Sequence, residues 1–515
     1  MKGKSSKMNE DTQARADSNG FNKFQQIFWP IHAYELKKFL PMSMLMFCIL
    51  FVYAMVRNLK DTFIQHYAIC GGTELMPVLK LFFVMPAAFF AVMLFTFFIN
   101  RFGSTKTFYI MISLFVTFYT VFLFILLPNV NVLHANEATV RHLQEILPDF
   151  LHYTIPCFTN WCYTLFYVVS EIWSTIALSS LFWQFANRIT KENEAKRFYA
   201  LYSLISSIGV ILSGGVLSAM SKASGAEFER NVRILISLCI LFALATMIIF
   251  YYINAVIVPD PRYCDPVQFR LPSKKMHKKE HIDVFEGIKM LIKEPYIALM
   301  ALLVLTYGIS DNLLETVWKA QLKHAFPDPN NYASMMGKQS IIVGISTICI
   351  TILSTYMIRK LSWKFCAGVT PVIMLIFGLV FFGLSFYANN GNPNFYGMPI
   401  DMASAWIGLI VVALIRSTKY SLFDATKNMA YRPLDVDTKT KGQAAVEVIS
   451  GRGGKAGSAL INAFLTNVLV VGSKISAHLY TIIPIFILTV AGWIVSVFKL
   501  SPRYKEKVSK QNNNS

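Results

Sequence analysis

Lys60 follows Arg57 by three residues within "VRNLKDTFIQHY" (56–67), and Lys455 follows Arg452 by the same interval within "GRGGKAGSA" (451–459). On a helix, residues three apart share a face, so each pair offers two cations side by side. Arginine grips a phosphate or carboxylate with two parallel hydrogen bonds and lysine adds a point charge, so such pairs suit an anion carrying several charges. Carboxylates occupy equally unusual positions. Glu171 is the charge in "YVVSEIWSTIALSSLFWQFAN" (167–187), and Asp311, Glu315, Lys319 and Lys323 recur every four residues in "YGISDNLLETVWKAQLKHAFP" (307–327). No segment pairs a nucleophile with a base, and the eight cysteines form neither a CxxC nor a Cys/His cluster. Catalytic residues, metals and organic cofactors are not expected.

What makes these charges informative is the material around them. The chain of 515 residues is 55% hydrophobic and 15% charged, with a mean hydropathy of +0.47, the composition of an integral membrane protein. An ionisable group inside a membrane span costs roughly 2.5–3.5 kcal/mol on insertion scales and is by default a functional candidate. The 48 Lys and Arg outnumber the 29 Asp and Glu, leaving +19. Such an excess suits nucleic acid, anionic lipid or an anionic solute, and the hydropathy argues against nucleic acid.

Apolar stretches long enough to span a bilayer fall at 39–56, 75–99, 107–127, 158–182, 198–220 and 232–258, then at 296–317, 339–357, 366–388, 403–421, 456–473 and 477–500. The expected fold is an all-α membrane protein of twelve transmembrane helices in two six-helix halves, the layout of a major facilitator transporter. The expected segments are an N-terminal piece (1–38), the first half (39–258), a basic linker with an amphipathic helix (259–295), the second half (296–500) and a tail (501–515). Lysine and arginine concentrate in the N-terminal piece, the linker and the tail, which places all three in the cytoplasm. About forty polar residues precede the first apolar run, so a cleaved signal peptide is not expected. A monomer in a lipid bilayer is expected.

Each charged group also has a plainer reading. Arg57 and Lys60 could mark a positive membrane edge, but the first helix ends on the outer side, where cations are disfavoured. Glu315 and Lys319 could be a self-neutralising pair. Glu171 has no base four residues away, so its partner comes from another helix or it binds a proton. Gly451, Gly453, Gly454 and Gly457 would let backbone N–H groups approach an anion at a helix N-terminus. The motif is not a Walker A loop, because Ile449 stands where its first glycine belongs and Ala456 replaces its Ser or Thr. The residues by themselves lead to a transporter of a phosphorylated or polycarboxylate anion.

"RNLKDTF", "SEIWSTIALSSLFWQFANRITKENEAKRFY", "NLLETVWKAQLK", "KYSLFDATKNMAYRPLD" and "KGQAAVEVISGRGGKAGSA" resemble the ATP/ADP translocase family of obligate intracellular bacteria and plant plastids, in its bacterial branch, from about Pro30 to Leu500. The resemblance implies one-for-one exchange of nucleotides without hydrolysis, or in some members proton-coupled uptake. It also implies that Lys60, Glu171, Glu315 and Lys455 matter for transport. Added to the residues flagged by their cost, the candidate substrate-binding and transport set is Arg57, Lys60, Glu171, Glu315, Lys319, Arg452 and Lys455. Ser174, Asp311, Gly453, Ala456 and Ser458 depart from the family's usual pattern, so the base or phosphate number is left open among ATP, GTP, CTP and UTP. The alternative is a proton-coupled nucleotide symporter with Glu171 as proton carrier.

Overall fold

The computed structural model describes residues 31–513 apart from 191, 222–226, 261, 265–292, 390–393, 396, 435–441, 443–445, 447–449 and 470–471. Within a hydrocarbon layer every backbone N–H and C=O must be satisfied inside its own segment, which favours helices. Among the described residues, ten helices are long and apolar enough to cross a membrane. One of them, Leu75–Leu133, has 59 residues. At 1.5 Å per residue it would extend about 90 Å, some three times a bilayer core. Gly103 divides it: φ +79° and ψ 166° are backbone angles that glycine adopts readily and L side chains resist. The chain turns there, giving α2 (75–102) and α3 (104–133).

The remaining spans are α1 (Leu36–Tyr67), α4 (Trp161–Ile189), α5 (Arg197–Met220), α6 (Arg230–Ile257), α7 (Pro295–Ala325), α8 (Pro329–Ile358), α9 (Trp363–Asn389), α10 (Ile400–Tyr431) and α12 (Ile475–Lys510). Between the last two lies α11 (Gly451–Phe464), prolonged by a wide turn at Leu465–Leu469. It is less apolar than its neighbours because it begins with Arg452 and Lys455. The helix of α12 runs on to Asn513, so residues expected to form a separate tail extend a span. The expected amphipathic helix of the linker lies outside the described residues.

Two hydrophobic cores organise the bundle. One is formed mainly by residues of α1–α6, joined by Ala333 of α8, the other mainly by residues of α7–α12. The groups meet where α5 runs along α8. There Gly214 and Gly337 lie against each other: a Cβ on Gly214 would overlap Gly337 O, and one on Gly337 would come within 2.6 Å of Gly214 O.

Burial ranks the helices. The apolar windows of α1 and α10 are 67% buried and that of α7 is 61%, whereas those of α6 and α12 are 33% buried and that of α8 is 17%. The central helices are thus α1, α7 and α10, and these carry the charged residues that a lipid-facing helix could not.

Candidate functional site

A cavity of about 320 Å3 lies between the two helix groups. Arg57 and Lys60 reach it from α1, Lys80 from α2, and Glu171, Ser174 and Thr175 from α4. From the other group come Asp311, Asn312, Glu315 and Lys319 of α7, Arg416, Lys419, Asp424 and Lys427 of α10, and Arg452 and Lys455 of α11. All seven residues singled out in the sequence line this one space. Nine lysines and arginines face four acids there.

Local backbone geometry aims several of these side chains. Wide π-type turns occupy Leu79–Val84, Ser174–Phe182 and Lys419–Phe423. One extra residue per turn rotates the side chains that follow and is a recurrent feature of functional sites. Lys80, Ser174, Thr175, Lys419 and Tyr420 all face the cavity from such turns.

The charges on its wall form a continuous chain between the halves. Lys60 Nζ contacts Glu171 Oε1 at 3.0 Å and Asp61 Oδ1 at 2.7 Å, and sits 3.8 Å from the centre of the Tyr167 ring. The other oxygen of Asp61 meets Lys319 Nζ at 2.7 Å. Lys319 also meets Glu315 at 2.6 Å, and Glu315 takes Arg57 at 3.2 Å and Arg416 at 2.7 Å. Three carboxylates are thus shared among four cations.

Burial settles the membrane-edge reading of this cluster. Lys60 is 2% exposed and Asp61 0%, so Lys60 lies inside the bundle. Glu315 and Lys319 do pair, but within a larger network that also takes in both halves. Glu171 finds its base on another helix and does not need a proton to be neutralised. Lys323, the fourth member of the α7 stripe, lies outside the cavity and donates to Gly71 O at 3.1 Å.

Asp61, Lys80 and Arg416 are not among those seven residues. Asp61, adjacent to Lys60, has the sequence pattern of an ordinary counter-ion. Lys80 stands alone in an apolar run, the same signal that singled out Glu171, and that signal could have found it. Arg416 was visible only as one of many bases in its segment.

The glycines expected to precede a helix lie inside the first turns of α11. Ser450 already has helical angles (φ −77°, ψ −37°) and makes no side-chain cap. Gly454 faces Gly308 of α7: a Cβ on it would lie 2.8 Å from Leu305 O and 2.9 Å from Gly308 Cα. This glycine exists for close packing of α7 on α11, which brings Lys455 to the cavity edge.

At the end where α1 finishes, the halves are tied together. Glu74 Oε1 accepts from Ile475 N at 3.1 Å, Tyr153 OH donates to Ser473 O at 2.9 Å, Tyr153 N donates to Asn467 Oδ1 at 3.2 Å, and the hydroxyls of Ser218 and Ser334 lie 3.1 Å apart. At the opposite end the ion pairs and hydrogen bonds of Lys38 with Glu194, Arg197 with Glu35, Tyr296 with Ala430 O and Trp363 with Thr426 O each stay within one half. The cavity extends that way, past Val304, Lys427 and Arg452. Among the described residues no group of His, Cys, Asp and Glu could hold a metal ion.

A bundle closed at one end around a charged central cavity has the architecture of the major facilitator transporters. Solved structures agree: a D-xylose-proton symporter matches with a TM-score of 0.55 at 14% identity, covering 90% of this chain and 97% of that one. The xylose transporter XylE of E. coli, in a partially occluded inward-open conformation, matches with a TM-score of 0.55 at 13% identity, over 89% of this chain and 97% of that one. The chain belongs to the TLC ATP/ADP transporter family, whose model matches residues 14–504. It is 37% identical to ADP,ATP carrier protein 1 of Chlamydia pneumoniae over 95% of both chains. It is 35% identical to ADP,ATP carrier protein 1 of Rickettsia prowazekii (strain Madrid E), over 96% of this chain and 98% of that one. The protein is a multi-pass membrane transport protein.

Proposed function

We propose that this protein exchanges nucleoside di- and triphosphates, of the ATP/ADP type, across a bacterial inner membrane, with both termini in the cytoplasm. The observation that carries the reading is the surplus of cations in a cavity shared by the two halves. Nine bases face four acids on its wall, with Asp61 directly behind. An ionised polyphosphate is the complementary ligand, held by bidentate arginines and by lysines. Arg57, Lys60, Lys319, Arg452 and Lys455 supply phosphate contacts in this reading. Glu171 and Glu315 hold Lys60, Arg57 and Lys319 in position until phosphate arrives.

Exchange follows from electrostatics. Closing the open end around an unneutralised cavity would desolvate a cationic cluster, at several kcal/mol per ion. A bound nucleotide cancels that charge, so the loaded carrier crosses between its two states and the empty one does not. Names of relatives support ATP and ADP as the substrates. Proton symport is the weaker reading, because Glu171 is paired with Lys60 at 3.0 Å.

Uptake of labelled ATP and ADP into bacterial cells expressing the protein, followed by an excess of unlabelled nucleotide outside, tests this. Efflux of label on the chase supports exchange. Uptake that collapses with a protonophore and shows no chase-driven efflux would replace exchange with symport.

A further inference from the structure

Three of the cavity's cations differ from the other six. Arg57, Lys60, Lys319, Arg416, Lys419 and Lys427 each have a carboxylate oxygen within 4.0 Å. Lys80, Arg452 and Lys455 line the same cavity and, among the described residues, have none. Arg452 and Lys455 belong to α11; Lys80 belongs to the opposite half, on the first turns of α2, which pack against α11. The two halves thus face each other with uncommitted positive charge.

The three also fall in order along the cavity. Arg452 lies nearest the end at which α1 begins, in the first turn of α11, and Lys455 is one turn deeper. Gly454, beside Lys455, packs on Gly308 of α7. Lys80 Nζ donates to Asn312 Oδ1 at 3.1 Å, and Asn312 stands one turn beyond Gly308 toward the closed end. Lys80 is therefore the innermost of the three.

Its present partner is weak. Asn312 offers a neutral amide oxygen, and its Nδ2 is already donated to Gly308 O at 2.9 Å. A charge-assisted bond to a phosphate oxygen is roughly twice as strong as a neutral one. Phosphate can therefore take Lys80 without first displacing a carboxylate, which it must do at Lys60 or Lys319.

We infer that Lys80 is a substrate-binding residue that receives the terminal phosphate of the nucleotide, opposite Lys455, in exchange for its hydrogen bond to Asn312. This rests on the function proposed above and adds to it a residue and an orientation: the polyphosphate lies along Arg452, Lys455 and Lys80, with its last phosphate innermost. Because the Lys80–Asn312 bond joins α2 to α7, phosphate binding there removes one tie between the halves.

The test is KM for ADP and for ATP in exchange across proteoliposomes, with Lys80→Gln, Lys80→Arg and Asn312→Ala compared with the unsubstituted chain. Lys80→Gln is expected to raise KM about tenfold or more, a loss of about 1.4 kcal/mol, with exchange persisting at saturating nucleotide. Lys80→Arg should restore KM to within about threefold. Asn312→Ala, which frees Lys80, should leave KM unchanged or lower it. An unchanged KM in Lys80→Gln would overturn the assignment. So would a KM in Asn312→Ala as high as in Lys80→Gln, since Lys80 would then serve the contact between helices and not the ligand. If the unsubstituted chain exchanges no nucleotide, the function itself falls and the role of Lys80 with it; if it exchanges and Lys80→Gln is normal, only that role falls.

Discussion

At the scale of single residues, Asp61 is the hinge of the electrostatics. It is fully buried, and its two oxygens divide their attention between Lys60 of its own helix and Lys319 of the opposite half. Removing one member of a buried ion pair leaves an uncompensated charge, which costs about 3–5 kcal/mol. Asp61→Asn should lower the melting temperature in detergent, measured by tryptophan fluorescence; a melting curve like that of the unsubstituted chain would show that the Lys60–Asp61–Lys319 bridge contributes nothing. Lys455→Ala tests binding apart from stability, whereas Lys60→Ala removes a phosphate contact and the buried partner of Asp61 together. Loss of a charged contact to phosphate in a desolvated site should reduce exchange per inserted protein by about two orders of magnitude in each. Exchange at the usual rate in either variant would remove phosphate binding at that residue. The sequence made several of these residues legible because charge inside an apolar helix has no cheap explanation. It left Asp61 obscure because adjacent residues of opposite sign are common, and only the fold shows that the second oxygen of Asp61 faces another helix.

Elements explain why the charges can coexist. The central helices α1, α7 and α10 keep their cations and carboxylates away from lipid, and outer helices such as α6 are free to be apolar. Spans and their order could be read from hydropathy alone. The break at Gly103 was foreseeable as a polar interval, whereas the wide turns that aim Lys80 and Lys419 were not, since no simple residue pattern marks an extra residue in a helical turn. The glycines at the start of α11 were misleading in a useful way: their number suggested an anion-binding helix end, and their position shows a close crossing of α7 and α11. A side chain at Gly454 would strike backbone atoms at Leu305 and Gly308, and overpacking of this kind costs typically 1–3 kcal/mol. Gly454→Val should therefore reduce the folded yield and displace Lys455, lowering exchange even though no charge is altered. A Gly454→Val protein with normal yield and normal KM would show that the crossing has room to spare.

At the scale of the whole molecule, the described ties between the ends of the two halves gather where α1 finishes, and the cavity extends the other way. The hydroxyls of Ser218 on α5 and Ser334 on α8 lie 3.1 Å apart at the tied end. Cysteines at both positions should form a disulfide under oxidation that stops exchange, and a reductant should restore it. Continued exchange by the crosslinked protein would mean that this end does not have to open. A cationic cavity that crosses only when filled requires strict one-for-one movement, and this is the property to measure first. Proteoliposomes preloaded with labelled ATP should release label when ADP is added outside, and hold it in buffer alone. Equal release in buffer alone would contradict the proposal that nucleotide charge is what allows the carrier to close and turn.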